Sequence, residues 1–224
     1  MGFKDIADNP NMVEVWLNRE KEAEEQYCKD NPDSLILPFE KELRDLGFEF
    51  ETSNQATGLI PKHKKVVLPI AIKYYQLAKG RKKPNEQNYF MGFLRIKGLD
   101  NVVPMLLEDF CYEGTENLTR WFLSDCIYQI RSRDFVKEYL DIVSNERFGI
   151  NRQMIVLLLG KLKEESAIPT LINLLEDEQV RLHAISALGD FKREEFRCYF
   201  ERFQNSTHPG WRKYTKAALK KLNG

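Results

Sequence analysis

Three series of residues recur along this 224-residue chain at almost the same interval. Pro69, Pro104, Val136 and Pro169 follow one another at 35, 32 and 33 residues, and Leu94, Ile127, Leu159, Leu188 and Leu219 at 33, 32, 29 and 31. Arg120, Arg152, Arg181 and Arg212 recur at 32, 29 and 31. A period of this length implies one supersecondary unit repeated and stacked, each copy burying a face it could not bury alone. Apolar residues recur three and four apart and alternating stretches are nearly absent, so the unit is a helix pair. In AIPTLINLL the stripe is Ile168, Leu171, Ile172 and Leu175; Glu176 and Asp177 break it, and a second stripe runs from Val180 through Ala184, Ala187 and Leu188 to Gly189. Asp177 is placed to cap the second helix. The small residues Ala184 and Ala187 let the second helix approach the first closely. The expectation is an all-α right-handed α-α superhelix of about five to six helical hairpins.

Composition supports a folded chain: 42% of residues are apolar and 30% charged. The 12 Gly and 9 Pro are scattered, no Pro/Gly/Ser-rich linker interrupts the pattern, and one continuous domain is expected. The longest apolar runs, Val66 to Ile72 and Ile155 to Leu159, fall far short of the roughly 20 residues of a membrane-spanning helix. The start MGFKDIADNPN has no apolar signal core, and Ile6 stands where a myristoylation motif on Gly2 needs Ser or Thr. Cys28, Cys111, Cys126 and Cys198 form no C-x-x-C pair, and Cys111 and Cys126 lie in apolar stretches, so reduced core thiols in a cytoplasmic protein are expected.

The stretch IPTLINLLEDEQVRLHAISALGDF, Ile168 to Phe191, resembles a repeat of the HEAT family. Pro169 matches that family's first-helix proline and Asp177 its turn. Val180, Arg181, Ala184, Ala187, Leu188 and Gly189 match its second helix. The unit at 133–162 shares Arg152 and LLLG but lacks the proline; those at 63–97, 100–131 and 194–222 match by period and apolar pattern, with Arg95, Tyr128 and Lys220 where Gly would sit. The resemblance covers roughly 61–222. Residues 1–60 are then an N-terminal capping region, with a polar helix over Asn11 to Tyr27 and one degenerate repeat over 35–50, and 61–224 the repeat solenoid.

The formal charge is zero, yet it is unevenly distributed. Lys and Arg against Asp and Glu number 6 to 14 over residues 1–60, 10 to 1 over 61–97, 4 to 10 over 98–146 and 14 to 9 over 147–224. Two readings stand for the basic block with Lys62, Lys64, Lys65, Lys79, Arg81, Lys82 and Lys83: pairing with acidic neighbours inside the fold, or a surface for a charged partner.

Signals for chemistry are sparse. His63, His183 and His208 are far apart and in no ligand-spaced cluster, so no metal or other cofactor is expected. G-x-S-x-G, P-loop and G-x-G-x-x-G motifs are absent, and no small-molecule substrate is indicated. The arginine series fits a structural ladder of the kind the HEAT resemblance implies, bonding carbonyls and carboxylates of the adjacent hairpin; the alternative is a row facing a polyanion. Trp121 and Asp125 lie one helical turn apart. They resemble the pair of HEAT-like alkylpurine DNA glycosylases, in which such residues and an Arg of the next hairpin, here Arg152, stabilise charge on a deoxyribose.

The resemblance implies a non-catalytic protein-binding module whose second helices line a concave face. HEAT-like regulators and toxin-neutralising immunity proteins illustrate that role. A protein is the expected partner, with nucleic acid as the alternative and no membrane. The candidate binding residues are Trp121, Phe122, Asp125, Arg152, Met154, His183, Lys213 and Tyr214, with Trp121 and Tyr214 as principal anchors.

Overall fold

The computed structural model describes residues 10–222, so Gly2 and Ile6 lie outside the described residues. Those residues are helical with no strand among them, and they divide into two compact units, one ending at Leu94 and the other starting at Arg95.

The first unit contains α1 (Pro10–Asp30), α2 (Ile36–Asp45), the short α3 (Ser53–Ala56), α4 (Ile60–Gly80) and α5 (Pro84–Met91). Helix α1 spans the polar segment 11–27, and α2 is a single helix within the segment 35–50. Phe39 of α2 is fully buried at the centre of an aromatic cluster, with edge contacts to Tyr74, Phe90 and Phe93 at ring separations of 5.4, 5.2 and 5.0 Å. Such edge-to-face pairs add specificity to the area they bury. Helix α4 carries Pro69 inside it and departs from helical geometry at His63.

The second unit is a solenoid of four hairpins among the described residues. The pairs are α6 (Val103–Cys111) with α7 (Asn117–Ile130), α8 (Val136–Val143) with α9 (Gln153–Leu162), α10 (Ile168–Asn173) with α11 (Arg181–Asp190), and α12 (Arg197–Glu201) with α13 (Pro209–Leu222). The second helices also pack in sequence, α7 on α9, α9 on α11 and α11 on α13. Ile127, Leu159 and Leu188, the periodic anchors of the first three of these helices, are fully buried, and Leu219 of the fourth is half-buried.

Ala187 also approaches the preceding second helix closely: a Cβ on Gly160 would sit 2.4 Å from Ala187 Cα. Gly189 and Ala218 repeat this contact one hairpin later, at 3.0 Å. One local expectation is corrected: the Asp177 side chain does not cap α11. Its Oδ1 accepts from the Gln179 amide within the turn at 3.0 Å, and its Oδ2 takes Arg152 of the previous hairpin at 2.6 Å. The main-chain carbonyl of Asp177, rather than its carboxylate, accepts from the Arg181 amide.

Cys126 is fully buried, and burial pushes its thiol up to about 12. Cys28 and Cys111 are half-buried and Cys198 is exposed, so the core setting expected for Cys111 holds only in part; all four thiols are free. No helix among the described residues is long and apolar enough to cross a membrane.

Candidate protein-binding face

The four periodic arginines organise the turns of the second unit. Arg120 donates to the carbonyls of Phe110 and Tyr112, both at 2.9 Å. Arg152 donates to those of Val143 at 3.1 Å and Gly149 at 2.9 Å. Arg181 reaches Leu175 at 2.6 Å and Glu176 at 3.0 Å, and Arg212 reaches Ser206 and Thr207. Phe110, Val143 and Leu175 lie at or just past the end of the first helix of their own hairpins, where no intrahelical donor remains and the helix dipole favours a cation, whereas Gly149, Ser206 and Thr207 belong to the segments that lead into the second helices. Arg152 alone adds a carboxylate of the next hairpin, Asp177, and so joins two repeats. These internal bonds, rather than an outward row of charge, account for the series.

The ladder also fixes the rotation of each second helix. The residue three places after every ladder arginine is buried: Leu123, Ile155, Ala184 and Thr215. The two residues between are accessible in all four helices. Trp121 and Phe122, Gln153 and Met154, Leu182 and His183, and Lys213 and Tyr214 are each exposed or half-buried. Trp121 is 37% exposed and Tyr214 36%. These pairs hold one register position on four helices that pack side by side in order, and together they are the accessible strip of the second helices.

The expected residues separate into two groups on this frame. Trp121, Phe122, Met154, His183, Lys213 and Tyr214 belong to the strip. Trp121 packs edge-on against Phe122 at 5.4 Å, and the Arg95 guanidinium lies over the Phe122 ring at 5.7 Å. Asp125 and Arg152 do not belong to it. Asp125 is 8% exposed and its carboxylate is held by Arg95 at 2.7 Å; Arg152 is 1% exposed. Trp121, Asp125 and Arg152 are therefore not assembled into a cradle for a nucleotide: the carboxylate and the guanidinium each face a different internal partner. A groove of about 760 Å³ opens beside Arg152, with Glu146, Glu176, Asp177 and Glu178 on its walls. Its acidic lining does not suit a phosphate backbone.

Burial pushes the His183 imidazole down to about 4, so it is neutral at physiological pH, and its Nδ1 has no hydrogen-bond partner. Among the described residues no cluster of three or more His, Cys, Asp or Glu could hold a metal ion.

Two exposed apolar residues beside the strip escaped sequence reasoning. Leu118 is 59% exposed, one helical turn before Trp121, and Ile150 is 56% exposed. Asn151 and Asn117, the neighbours of Ile150 and Leu118, are joined by a side-chain hydrogen bond of 3.2 Å, which brings the two segments together. The spacing of Leu118 from Trp121 could have signalled the first; Ile150 lies in an irregular 3₁₀ segment broken at Gly149, where helical periodicity gives no signal.

In the basic block, Lys83 pairs with Asp33 at 2.7 Å and Lys73 with Glu42 at 2.5 Å. Lys62, Lys64 and Lys65 are exposed at the N-terminal end of α4 and form no ion pair among the described residues. Internal pairing therefore accounts for only part of the block.

Residues 136–219 match the family described as HEAT repeats. No curated protein matches the chain.

Proposed function

We propose that this chain, whose residues 136–219 match HEAT repeats, generally protein-interaction modules, holds a protein partner on the strip formed by its second helices. The observation that carries this reading is the accessible row running from Trp121 to Tyr214, extended by Leu118 and Ile150. Aromatic and aliphatic anchors at the centre of a patch supply most of the energy of a typical protein interface. Binding is steric and additive: each hairpin contributes one or two side chains, and the ladder arginines keep them in line. The chain acts as a regulator or neutralising binder rather than as a catalyst.

The test is capture of the partner on the full chain and on Trp121→Ala and Tyr214→Ala, with nuclease present. Retention by the parent and loss of at least about tenfold in affinity with either variant supports the strip as the interface. Unchanged affinity in both variants rejects it.

The exposed Lys62, Lys64 and Lys65 favour a second reading, contact with nucleic acid. Lys62 lies in the first turn of α4, where a cation opposes the helix dipole, and no ion pair among the described residues offsets the three lysines. On this reading, reversing the three charges flattens the salt dependence of binding to a DNA or RNA duplex, because each lost phosphate contact removes about one unit of slope. A slope unaffected by the reversal rejects it.

A further inference from the structure

One oxygen of a buried carboxyl group in the first unit has no hydrogen-bond donor. Glu40 of α2 is 1% exposed; its Oε2 accepts from Arg44 Nη1 at 2.8 Å, while its Oε1 is buried with no partner. The group within hydrogen-bonding reach is a second carboxyl, Glu24 of α1. Glu24 Oε2 already accepts from the Ser53 amide at 2.9 Å and the Ser53 hydroxyl at 2.7 Å. Two carboxylates beside one guanidinium leave a surplus negative charge in a poorly hydrated place. One proton between them removes that charge and supplies the missing donor.

The element this arrangement holds is α1. None of its side chains from Met12 to Asp30 is fully buried, so apolar packing contributes little to its attachment. Its carboxylates do the fastening: Glu20 accepts from Thr52 Oγ1 at 3.2 Å and Asn54 Nδ2 at 2.9 Å, and Glu24 holds Ser53. Tyr27 donates to Glu86 of α5 at 3.3 Å, and Lys21 pairs with Glu51. The remaining ionisable groups around the pair are Cys28 on α1, and Glu86 and Tyr89 on α5; Glu86 lies near Lys83, and Tyr89 donates to the Ser53 carbonyl at 2.8 Å. Arg44 is the cation bonded to Glu40 itself.

We propose that α1 docks on its unit through a single proton shared by Glu24 and Glu40, so that its attachment loosens when that proton leaves. Burial, with the hydrogen bond and charge of Glu24, lifts Glu40 from its ordinary 4.5 to about 7 against the opposing pull of Arg44. Glu24 moves the other way: burial resists its ionisation, but its bonds to Glu40 and Ser53 outweigh that and hold it below the ordinary value. The docked state therefore keeps a proton on Glu40 that the undocked state releases. Docking is strongest below the ordinary value, weakens by up to about tenfold per pH unit above it, and levels off past the raised value. Glu24 acts oppositely, and only at more acid pH.

Hydrogen exchange of the α1 amides in the full chain, corrected for intrinsic exchange rates, tests this between pH 5 and 8. The expected result is protection that falls at least about tenfold and flattens above about pH 7. Glu40→Gln, whose amide donates to Glu24 at every pH, should hold protection at the low-pH level throughout. A flat wild-type profile, or the wild-type profile retained in Glu40→Gln, overturns the proposal. Carbon-13 titration of the wild-type Glu40 carboxyl decides the same point if the variant fails to fold: a midpoint near 7 supports the shared proton, and one near 4.5 refutes it.

Discussion

Gly160 and Ala187 meet backbone against backbone, with only 2.4 Å between the position of a Cβ on the glycine and Ala187 Cα. This contact sets the distance between α9 and α11, and with it the spacing of the side chains those helices carry outward.

Gly160→Ala is therefore expected to destabilise the chain. Alanine is the better helix former by about 1 kcal/mol, but overpacking of an interface that cannot yield costs about 1–3 kcal/mol. Gly189→Ala, which meets the Ala218 Cβ at 3.0 Å, should cost less. Urea denaturation of the two variants beside the parent gives the order; a Gly160→Ala protein more stable than the parent would show that the helices slide apart freely.

Arg152 is the ladder residue with most to lose. It is fully buried and serves two carbonyls and the Asp177 carboxylate. Truncation to Ala strands these acceptors and is expected to remove about 3–5 kcal/mol. Lysine should recover only part, since it lacks the planar fork that reaches three acceptors at once. The exposed Arg212, bonded to Ser206 and Thr207, should cost under about 1.5 kcal/mol on truncation. Chemical denaturation of the three variants measures the contrast.

His183 gives the second unit an acid-sensitive group. Its imidazole is depressed from 6.5 to about 4 by burial, so the unfolded chain takes up the proton first as pH falls. The stability it contributes is present above 6.5 and is lost as pH falls toward about 4. His183→Leu should flatten the dependence of the urea midpoint on pH across that window. An equally steep profile in the variant would mean that other groups carry the acid response.

Stability and binding should separate at two residues on one helix. Asp125→Ala breaks the pair with Arg95 and should lower stability by about 1–3 kcal/mol, yet leave partner affinity within about threefold, because the carboxylate is turned inward. Trp121→Ala should leave stability within about 1 kcal/mol and lose at least about tenfold in affinity. Paired denaturation and binding titrations test both halves, and a large affinity loss in a folded Asp125→Ala would return that carboxylate to the interface.

The period of the sequence was enough to read the hairpins, because each apolar anchor and each ladder arginine answers to contacts within one repeat or with its neighbour. It also aligned Phe122, Met154, His183 and Tyr214 in one register, with Trp121 the neighbour of the first. Register does not say which neighbour a side chain meets, and so Asp125 and Arg152 stood among the candidate binding residues although both are buried. Asp177 invited a capping role from its position alone, whereas its partner Arg152 lies 25 residues away. The Glu24–Glu40 pair left no trace in the pattern: the two residues are joined only by the packing of α1 beside α2, and neither belongs to a motif.

The most direct test of the second-helix strip is a photo-crosslinking amino acid placed at 121, at 214 and, as a control, at the exposed position 137 on the first helix α8. Irradiation with the captured partner should give protein adducts from 121 and 214 and none from 137. Adducts from 137 alone, or none from either strip position while the partner remains bound, would contradict binding on the second-helix face.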